Sequence, residues 1–391
     1  MNESLGAVRW LVVCVPQAGH FGPLRPLVTA LVEHGDDVVV ASGPATEPMA
    51  EAAGLDFETV GHDLEVWFGR LATRVRGAPG DGLPPDRIAA YFVPRLFAEI
   101  GAADMVDDVL RVGRELQPDA VLFDTEACCG PLVAEILGVP SVHHAFGALP
   151  DAEVEQLTTD ALSPLWRSFG LDVPPGAGLH RGVTVTVLPP SLDPGVAELG
   201  GSGWPTRVSA MPARPSTTMS PPLVYLTLGT LWADAGLITT VVEALRSEPV
   251  RLVITTGSLD PAVLGDLPAN VSAERYRPQE ELLPACSAVI HHAGAGTMLG
   301  ALAHGLPQVA LPQAADNFIN ARLLARSGAA TVLMPDEIDP DSVRDAVRAA
   351  LTEPSCRESA TAIAAELAAM PSPHATAAAL RAHVQTTASA D

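Results

Sequence analysis

The sequence predicts an α/β protein of two Rossmann-like domains, and three observations predict it. Short apolar runs, as at Trp10–Val15, Ala120–Asp124 and Leu223–Leu228, read as buried parallel strands. Stretches at helical spacing lie between such runs, so strand and helix alternate through two separate series. The 391 residues exceed one ordinary core, and two domains of about 200 residues each are expected.

Taken in order, Trp10–Val15 is the first strand and residues 16–23, PQAGHFGP, are the loop behind it, which places His20 in a loop. Leu24–Glu33 follows as a helix, apolar at Leu24, Leu27, Val28 and Leu31 and ended by His34-Gly35. Asp37–Ala41 starts the second strand. From His62 to Ile100 the alternation lapses, and Trp67, Phe68, Tyr91, Phe92 and Phe97 gather around a Gly/Pro-rich insert at Gly77–Pro85, in a chain with only 4% aromatic residues. Two readings stay open there: a mobile apolar wall for a large hydrophobic ligand, or ordinary helix packing.

Regularity returns with the strand Ala120–Asp124, a helix near Gly130–Leu137, the turn Gly138-Val139-Pro140 and the strand Ser141–His144. Val183–Leu188 reads as the last strand of this half. Trp204–Pro222 is rich in proline, serine and threonine, lacks periodicity and reads as a linker. The second series places strands near Leu223–Leu228, Arg251–Thr256, Ala288–Ile290, Gln308–Leu311 and Ala330–Leu333, then helices at Asp341–Leu351, Ser359–Met370 and Ala375–His383.

A net charge of −23 argues against a general nucleic-acid or anionic-membrane surface, so any phosphate must be held locally. Cys14, Cys128, Cys129, Cys286 and Cys356 have neither metal spacing nor an even count for a disulfide framework, and buried reduced thiols are expected. The apolar run at Trp10–Val15 is too short for a signal or membrane helix, and the protein is expected in the cytoplasm. Asp339-Pro340-Asp341 spells D-x-D, but it precedes a helix, where acidic residues make an ordinary cap. His291 and His292 are adjacent on an extended strand and point to opposite faces, so no metal site is expected.

The chemistry concentrates between Ala288 and Gly328. A strand ending at Ile290 runs through His291-His292-Ala293-Gly294-Ala295-Gly296 into a small-residue helix, Thr297–Ala303. Small residues admit a ligand close to the backbone, and the free N–H groups of a helix start can hold a phosphate oxygen. Gly294, Gly296 and Gly300 give G-x-G-x-x-x-G, which is neither a dinucleotide fingerprint nor a P-loop. The next unit ends in the loop Pro312–Asn317, and Asp316 and Asn317 either meet hydroxyl groups of a ligand or cap the helix that begins near Phe318.

HHAGAGT, GLPQVALPQAADN and the trailing Asn320-Ala321 resemble the nucleotide-sugar signature of the family 1 glycosyltransferases of GT-B fold, above all the bacterial enzymes that decorate antibiotics and other natural products. The resemblance implies two Rossmann-like domains facing across a cleft: residues 1–205 for the acceptor, a linker at 206–222, residues 223–375 for the nucleotide sugar, and a helix at 376–391 crossing back. It implies that His292, Gly294, Ala295, Gly296, Thr297 and Thr230 hold the diphosphate. Arg277 and Gln279 lie where relatives clasp base and ribose, with Arg277 in the place of the plant tryptophan. Asp316 and Asn317 would take the sugar hydroxyls. His20, in H-x-x-P, matches the catalytic base, and Asp124 resembles its partner, or caps the segment after Thr125. Trp67, Phe68, Tyr91, Phe92, His143, His144 and Phe146 would line the acceptor pocket.

Two positions depart from the pattern. Ala293 replaces a glycine, which a φ below zero would accommodate, and Asn317 replaces a glutamine, one methylene longer. The function so implied is inverting, metal-independent transfer of a deoxysugar, from a dTDP-linked donor with a UDP-linked one left open, to a hydroxyl of a polyketide or macrolide aglycone, with no cofactor. A homodimer stays open. A non-catalytic partner of another glycosyltransferase and a GT-B nucleotide-sugar epimerase are the alternatives, while a Rossmann oxidoreductase fails on both glycine patterns.

Overall fold

The computed structural model describes residues 6–75, 80, 82–84, 87–208, 220–229, 234–314 and 316–388. The chain divides into two units, one formed by residues 1–187, 194–209 and 371–391, the other by 188–193 and 210–370. The first contains β1 (Arg9–Val13), β2 (Asp37–Ser42), β3 (Asp56–Thr59), β4 (Ala120–Asp124), β5 (Ser141–Ala145), β6 (Val183–Thr186) and β7 (Gly203–Pro205). All pair in parallel, in the order β3-β2-β1-β4-β5-β6-β7. The second contains β8 (Leu223–Thr227), β9 (Arg251–Thr255), β10 (Val271–Glu274), β11 (Ala288–His291), β12 (Gln308–Ala310) and β13 (Ala330–Val332), again parallel, in the order β10-β9-β8-β11-β12-β13. Both are doubly wound sheets. Their strand order reverses between β1 and β4 and between β8 and β11, and ligand crevices open at the carboxyl ends of such strand pairs.

Side-chain alternation explains why these strands are apolar throughout. Leu11, Val13, Val121 and Phe123 face one helical layer, which includes Ala102–Leu116 and Gly130–Leu137, while Trp10, Val12, Ala120 and Leu122 face the other, which includes Ala18–Glu33 and Pro373–Ala388. The last helix is anchored on this first unit through a buried charge. Arg381 Nε donates to Asp36 Oδ1 at 2.7 Å, and the same carboxylate accepts from Trp10 Nε1 and the Val8 N–H, each at 3.0 Å.

Four features differ from the sequence expectations. The first helix starts at Ala18, so His20 is its third residue and does not lie in a loop. Pro23 and Pro26 lie inside this helix, and the carbonyls they leave without a donor, four residues earlier, belong to Gly19 and Gly22, where the backbone adapts most easily. The 62–100 segment is largely helical, at Leu64–Arg74, Ile88–Phe92 and, in wider turns, Val93–Gly101, although residues 76–79, 81, 85 and 86 of the insert lie outside the described residues. Trp204 and Pro205 belong to β7, so β6 is not the last strand of its sheet, and of the expected linker residues 209–219 lie outside the described residues. Finally, β3 is a mostly exposed edge strand, DFET, with no apolar pattern to announce it. No helix among the described residues is long and apolar enough to cross a membrane.

Candidate functional site

In the first unit the switch point brings His20 and Asp124 together. Helix Ala18–Glu33 follows β1, Asp124 is the last residue of the adjacent β4, and His20 Nδ1 lies 3.1 Å from Asp124 Oδ1. Asp124 is fully buried, and the backbone holds it: Val15 N–H donates to Oδ2 at 2.7 Å, and Glu126 and Ala127 N–H donate to Oδ1 at 2.8 and 3.2 Å. The carboxylate thus caps the turn after β4 and also meets His20. With Nδ1 directed at the carboxylate, His20 presents Nε2 as its other face. Glu126 Oε2, which no sequence signal singled out, stands 3.4 Å from Nε2, so a carboxylate lies beside each ring nitrogen.

Aromatic rings enclose this pair. The Phe146 ring centroid is 4.3 Å from that of His20 and the Phe97 centroid 6.0 Å. Phe146 follows β5 directly, whereas Phe97 comes from the wide-turned Val93–Gly101 segment. Trp67 is not a wall residue. It is fully buried, meets Phe97 edge-on at 6.4 Å and donates its indole N–H to Asp104 at 2.9 Å. Phe68, Phe92 and Tyr91 form a half-buried cluster of their own, with centroids 5.9 Å (Phe68–Phe92) and 5.1 Å (Tyr91–Phe92) apart.

His143 and His144 alternate across β5 and are both buried. His143 stacks on Phe123 and bonds Thr125 Oγ1 through Nε2 at 2.9 Å. His144 pairs in register with Asp124 and has no hydrogen-bond partner on either ring nitrogen. Burial pushes its pKa down to about 4 despite the nearby Asp124 charge, and burial likewise holds His143 well below the usual value, aided by His180 and His144. Both rings are neutral at pH 7.

In the second unit the corresponding switch point carries the glycine turn. Helix Ala295–Ala303 begins two residues earlier than its periodicity indicates, with Gly294 at its N-cap and no capping side chain. Among the described residues no side chain caps its first N–H groups; Gly296 is exposed and Thr297 half-exposed at the same end, while Ala295 is buried. The His292 ring fills the space between two backbones: a Cβ on Gly229 would lie 2.8 Å from its Cε1, and one on Gly294 2.5 Å from its Nε2. Those two glycines are glycine because the imidazole occupies the place of their side chains. Protein surrounds the ring, and lost hydration pushes its pKa down to about 4 against the opposing pull of the Thr227 carbonyl. Thr230 lies outside the described residues.

Ala293 overturns one expectation. Its φ is +66°, in the left-handed region that favours glycine, and not below zero. Two hydrogen bonds account for this: its N–H donates to His291 Nδ1 and its carbonyl accepts from Asn320 Nδ2, both at 3.0 Å. His291 is fixed in turn by Gln308, whose Oε1 lies 2.6 Å from Nε2, and burial lowers its pKa to about 3. The sequence reading used His291 only to dismiss a metal pair, yet it holds the turn.

Asp316 is the N-cap residue of helix Asn317–Ser327, and its side chain does not cap. Instead Oδ2 accepts from Asn320 Nδ2 at 2.8 Å and Oδ1 from Asn317 Nδ2 at 3.3 Å. Asn317 is buried, and its Oδ1 accepts from the Ala314 N–H at 3.2 Å, so its amide serves its own loop. Arg277 follows β10 and pairs with Glu274 at 2.6 Å, and the Gln279 amide lies beside Gly300 of the glycine-turn helix. Among the described residues no group of three or more His, Cys, Asp or Glu side chains is placed to hold a metal ion.

Comparison with known proteins bears on the family and the fold. Residues 241–382 match the family described as Erythromycin biosynthesis protein CIII-like, C-terminal domain. The chain is 30% identical to the elloramycin glycosyltransferase ElmGT of Streptomyces olivaceus, over 94% of this chain and 95% of that protein. Among solved structures, the glycosyltransferase SnogD from Streptomyces nogalater superposes with a TM-score of 0.73 at 29% identity, covering 97% of this chain and 100% of that one. The spinosyn rhamnosyltransferase SpnG, solved with thymidine diphosphate and with spinosyn aglycone, gives 0.75 at 27% identity over 95% of this chain and 99% of that one.

Proposed function

From the premise that this chain belongs to the bacterial antibiotic glycosyltransferases of GT-B fold, we propose that it transfers a deoxysugar, with inversion and without metal, from a dTDP-linked donor to a hydroxyl of a polyketide or macrolide aglycone. The observation that carries the reading is the buried His20–Asp124 pair at the switch point of the first sheet. The Nε2 lone pair of His20 removes the acceptor proton as the acceptor oxygen attacks the anomeric carbon. The bond from that carbon to the diphosphate breaks, and the nucleoside diphosphate leaves with the electron pair. Asp124 holds the imidazole in the tautomer that presents Nε2 and stabilises the imidazolium that results.

In the donor unit, the uncapped helix start, with the His292 ring packed between Gly229 and Gly294 beside it, supplies neutral, preorganised donors to the charge that grows on the diphosphate, which is work a metal does elsewhere. The deoxysugar class follows the relatives, among them a spinosyn rhamnosyltransferase solved with thymidine diphosphate. Phe97 and Phe146 beside the base suit a hydrophobic acceptor, and the TDP and aglycone bound by SpnG agree with both substrate classes. We place the reaction in the cytoplasm.

Calorimetric titration with TDP and with UDP, each in EDTA, tests the donor assignment. TDP binding that survives EDTA and is lost in His292→Ala is expected; binding of neither nucleotide would refute it.

A further inference from the structure

The fully buried Asn320 belongs to no catalytic role described so far, yet its one amide nitrogen spans two loops. Nδ2 donates to the Ala293 carbonyl at 3.0 Å and to Asp316 Oδ2 at 2.8 Å. An amide nitrogen has two protons, so both are used. The orientation of the group is unambiguous, because a carbonyl and a carboxylate only accept and a reversed amide would set oxygen against oxygen at both ends. Asn320 Oδ1 is buried and has no hydrogen-bond partner among the described residues. A continuous chain of hydrogen bonds results: Gln308 to His291, His291 to the Ala293 N–H, the Ala293 carbonyl to Asn320, and Asn320 to Asp316.

The middle of that chain is the residue under backbone strain. Ala293, at φ +66°, has its N–H held on one side and its carbonyl on the other. In a planar trans peptide the N–H points opposite to the C=O, so the pull of Asn320 on the Ala293 carbonyl turns the Gly294 N–H away from Asn320 and fixes its direction at the helix start.

We infer that Asn320 is a positioning residue that ties the diphosphate turn to the sugar-contacting Asp316, holding Ala293 left-handed and the two loops in one register. The inference rests on the donor-site reading above. A glycine at 293 keeps the left-handed turn without help, whereas alanine depends on the tie, and that difference makes the role testable.

The experiment is calorimetric binding of TDP to wild type, Asn320→Leu, Ala293→Gly and the double variant, with thermal unfolding of each. Asn320→Leu keeps the branched shape and removes the donors. It is expected to bind TDP about tenfold more weakly, and adding Ala293→Gly is expected to recover affinity to within about threefold of wild type. Should Asn320→Leu not fold, Asn320→Ser, with a single donor, is expected to show a smaller loss that Ala293→Gly likewise recovers. Wild-type affinity in the Asn320 variant, or a loss that Ala293→Gly leaves in place, overturns the inference and leaves the donor site standing. Failure of wild type to bind either TDP or UDP overturns both.

Discussion

Asp124→Asn tests the catalytic pair with the least change of shape. The carboxylate has two oxygens in different company: Oδ1 takes the Glu126 and Ala127 N–H groups and His20, and Oδ2 takes the Val15 N–H at 2.7 Å. An asparagine must place its NH2 on one of these sides. Facing Oδ1's partners it would oppose two backbone donors and His20; facing Oδ2's partner it opposes only Val15. The second orientation wins, and it leaves one buried backbone N–H without an acceptor, at about 1–3 kcal/mol of stability. In this orientation His20 keeps its tautomer but loses the charge that stabilises its protonated form. Transfer is therefore expected to slow by about 100- to 10,000-fold, the usual worth of general base catalysis. Urea unfolding and the rate of product formation at saturating donor measure the two effects separately. A variant within about threefold of the wild-type rate would refute the role of Asp124 in catalysis, and one with unchanged stability would refute the account of its buried hydrogen bonds.

Gly294→Ala puts a methyl 2.5 Å from the His292 ring and is expected to abolish measurable TDP binding in calorimetry while the protein still folds. Asp104→Asn should cost about 1–3 kcal/mol in chemical unfolding, because this carboxylate accepts from Trp67 Nε1, Arg70, and His62 N–H and Nδ1. Burial alone would raise the Asp104 pKa, but those donors outweigh it and hold it low. Its contribution is thus full above the unfolded carboxylate pKa of about 4 and is lost as pH falls through its lower folded value. Acid should act earlier through histidine. His144, His291 and His292 have folded pKa values of about 4, 3 and 4, against about 6.5 unfolded. The unfolded chain therefore takes up protons first, stability is full above pH ~6.5, and it declines toward pH ~4 by at most about 1.4 kcal/mol per pH unit for each ring. Thermal melts should drop between pH 7 and 5, and His144→Leu, which removes two unpaired ring nitrogens, should melt higher than wild type at pH 5.

Much of the fold was legible because buried parallel strands are apolar without interruption. The runs at β1, β4, β8, β9 and β11 have that signature, whereas β3, an exposed edge strand, and β7, which contains Trp204-Pro205, do not. The 62–100 segment misled for a physical reason. Its helices bury Trp67 with Leu71 and Leu96 with Ile100, but the turns widen over Val93–Gly101, and the buried Trp67 donates its indole N–H to Asp104, 37 residues away. Local pattern carries no trace of such a partner.

At the candidate sites, the resemblance to the glycosyltransferases nominated His20, Asp124, His292 and Asp316, because the motifs that carry it are local turns of strand–helix units. What sequence could not supply was anything that depends on facing residues from distant positions. The approach of Glu126 and Phe97 to His20, the His292 ring standing where Gly229 and Gly294 would carry side chains, and the left-handed Ala293 pinned by His291 and Asn320 all arise from contacts between separate elements. The sequence by itself determined the alternation of strands and helices and the glycine turn, since short-range periodicity and backbone sterics act within a few residues. Only the tertiary structure decided which oxygen meets which nitrogen, because a hydrogen bond is set by distances of a few tenths of an ångström between groups that the chain brings together last.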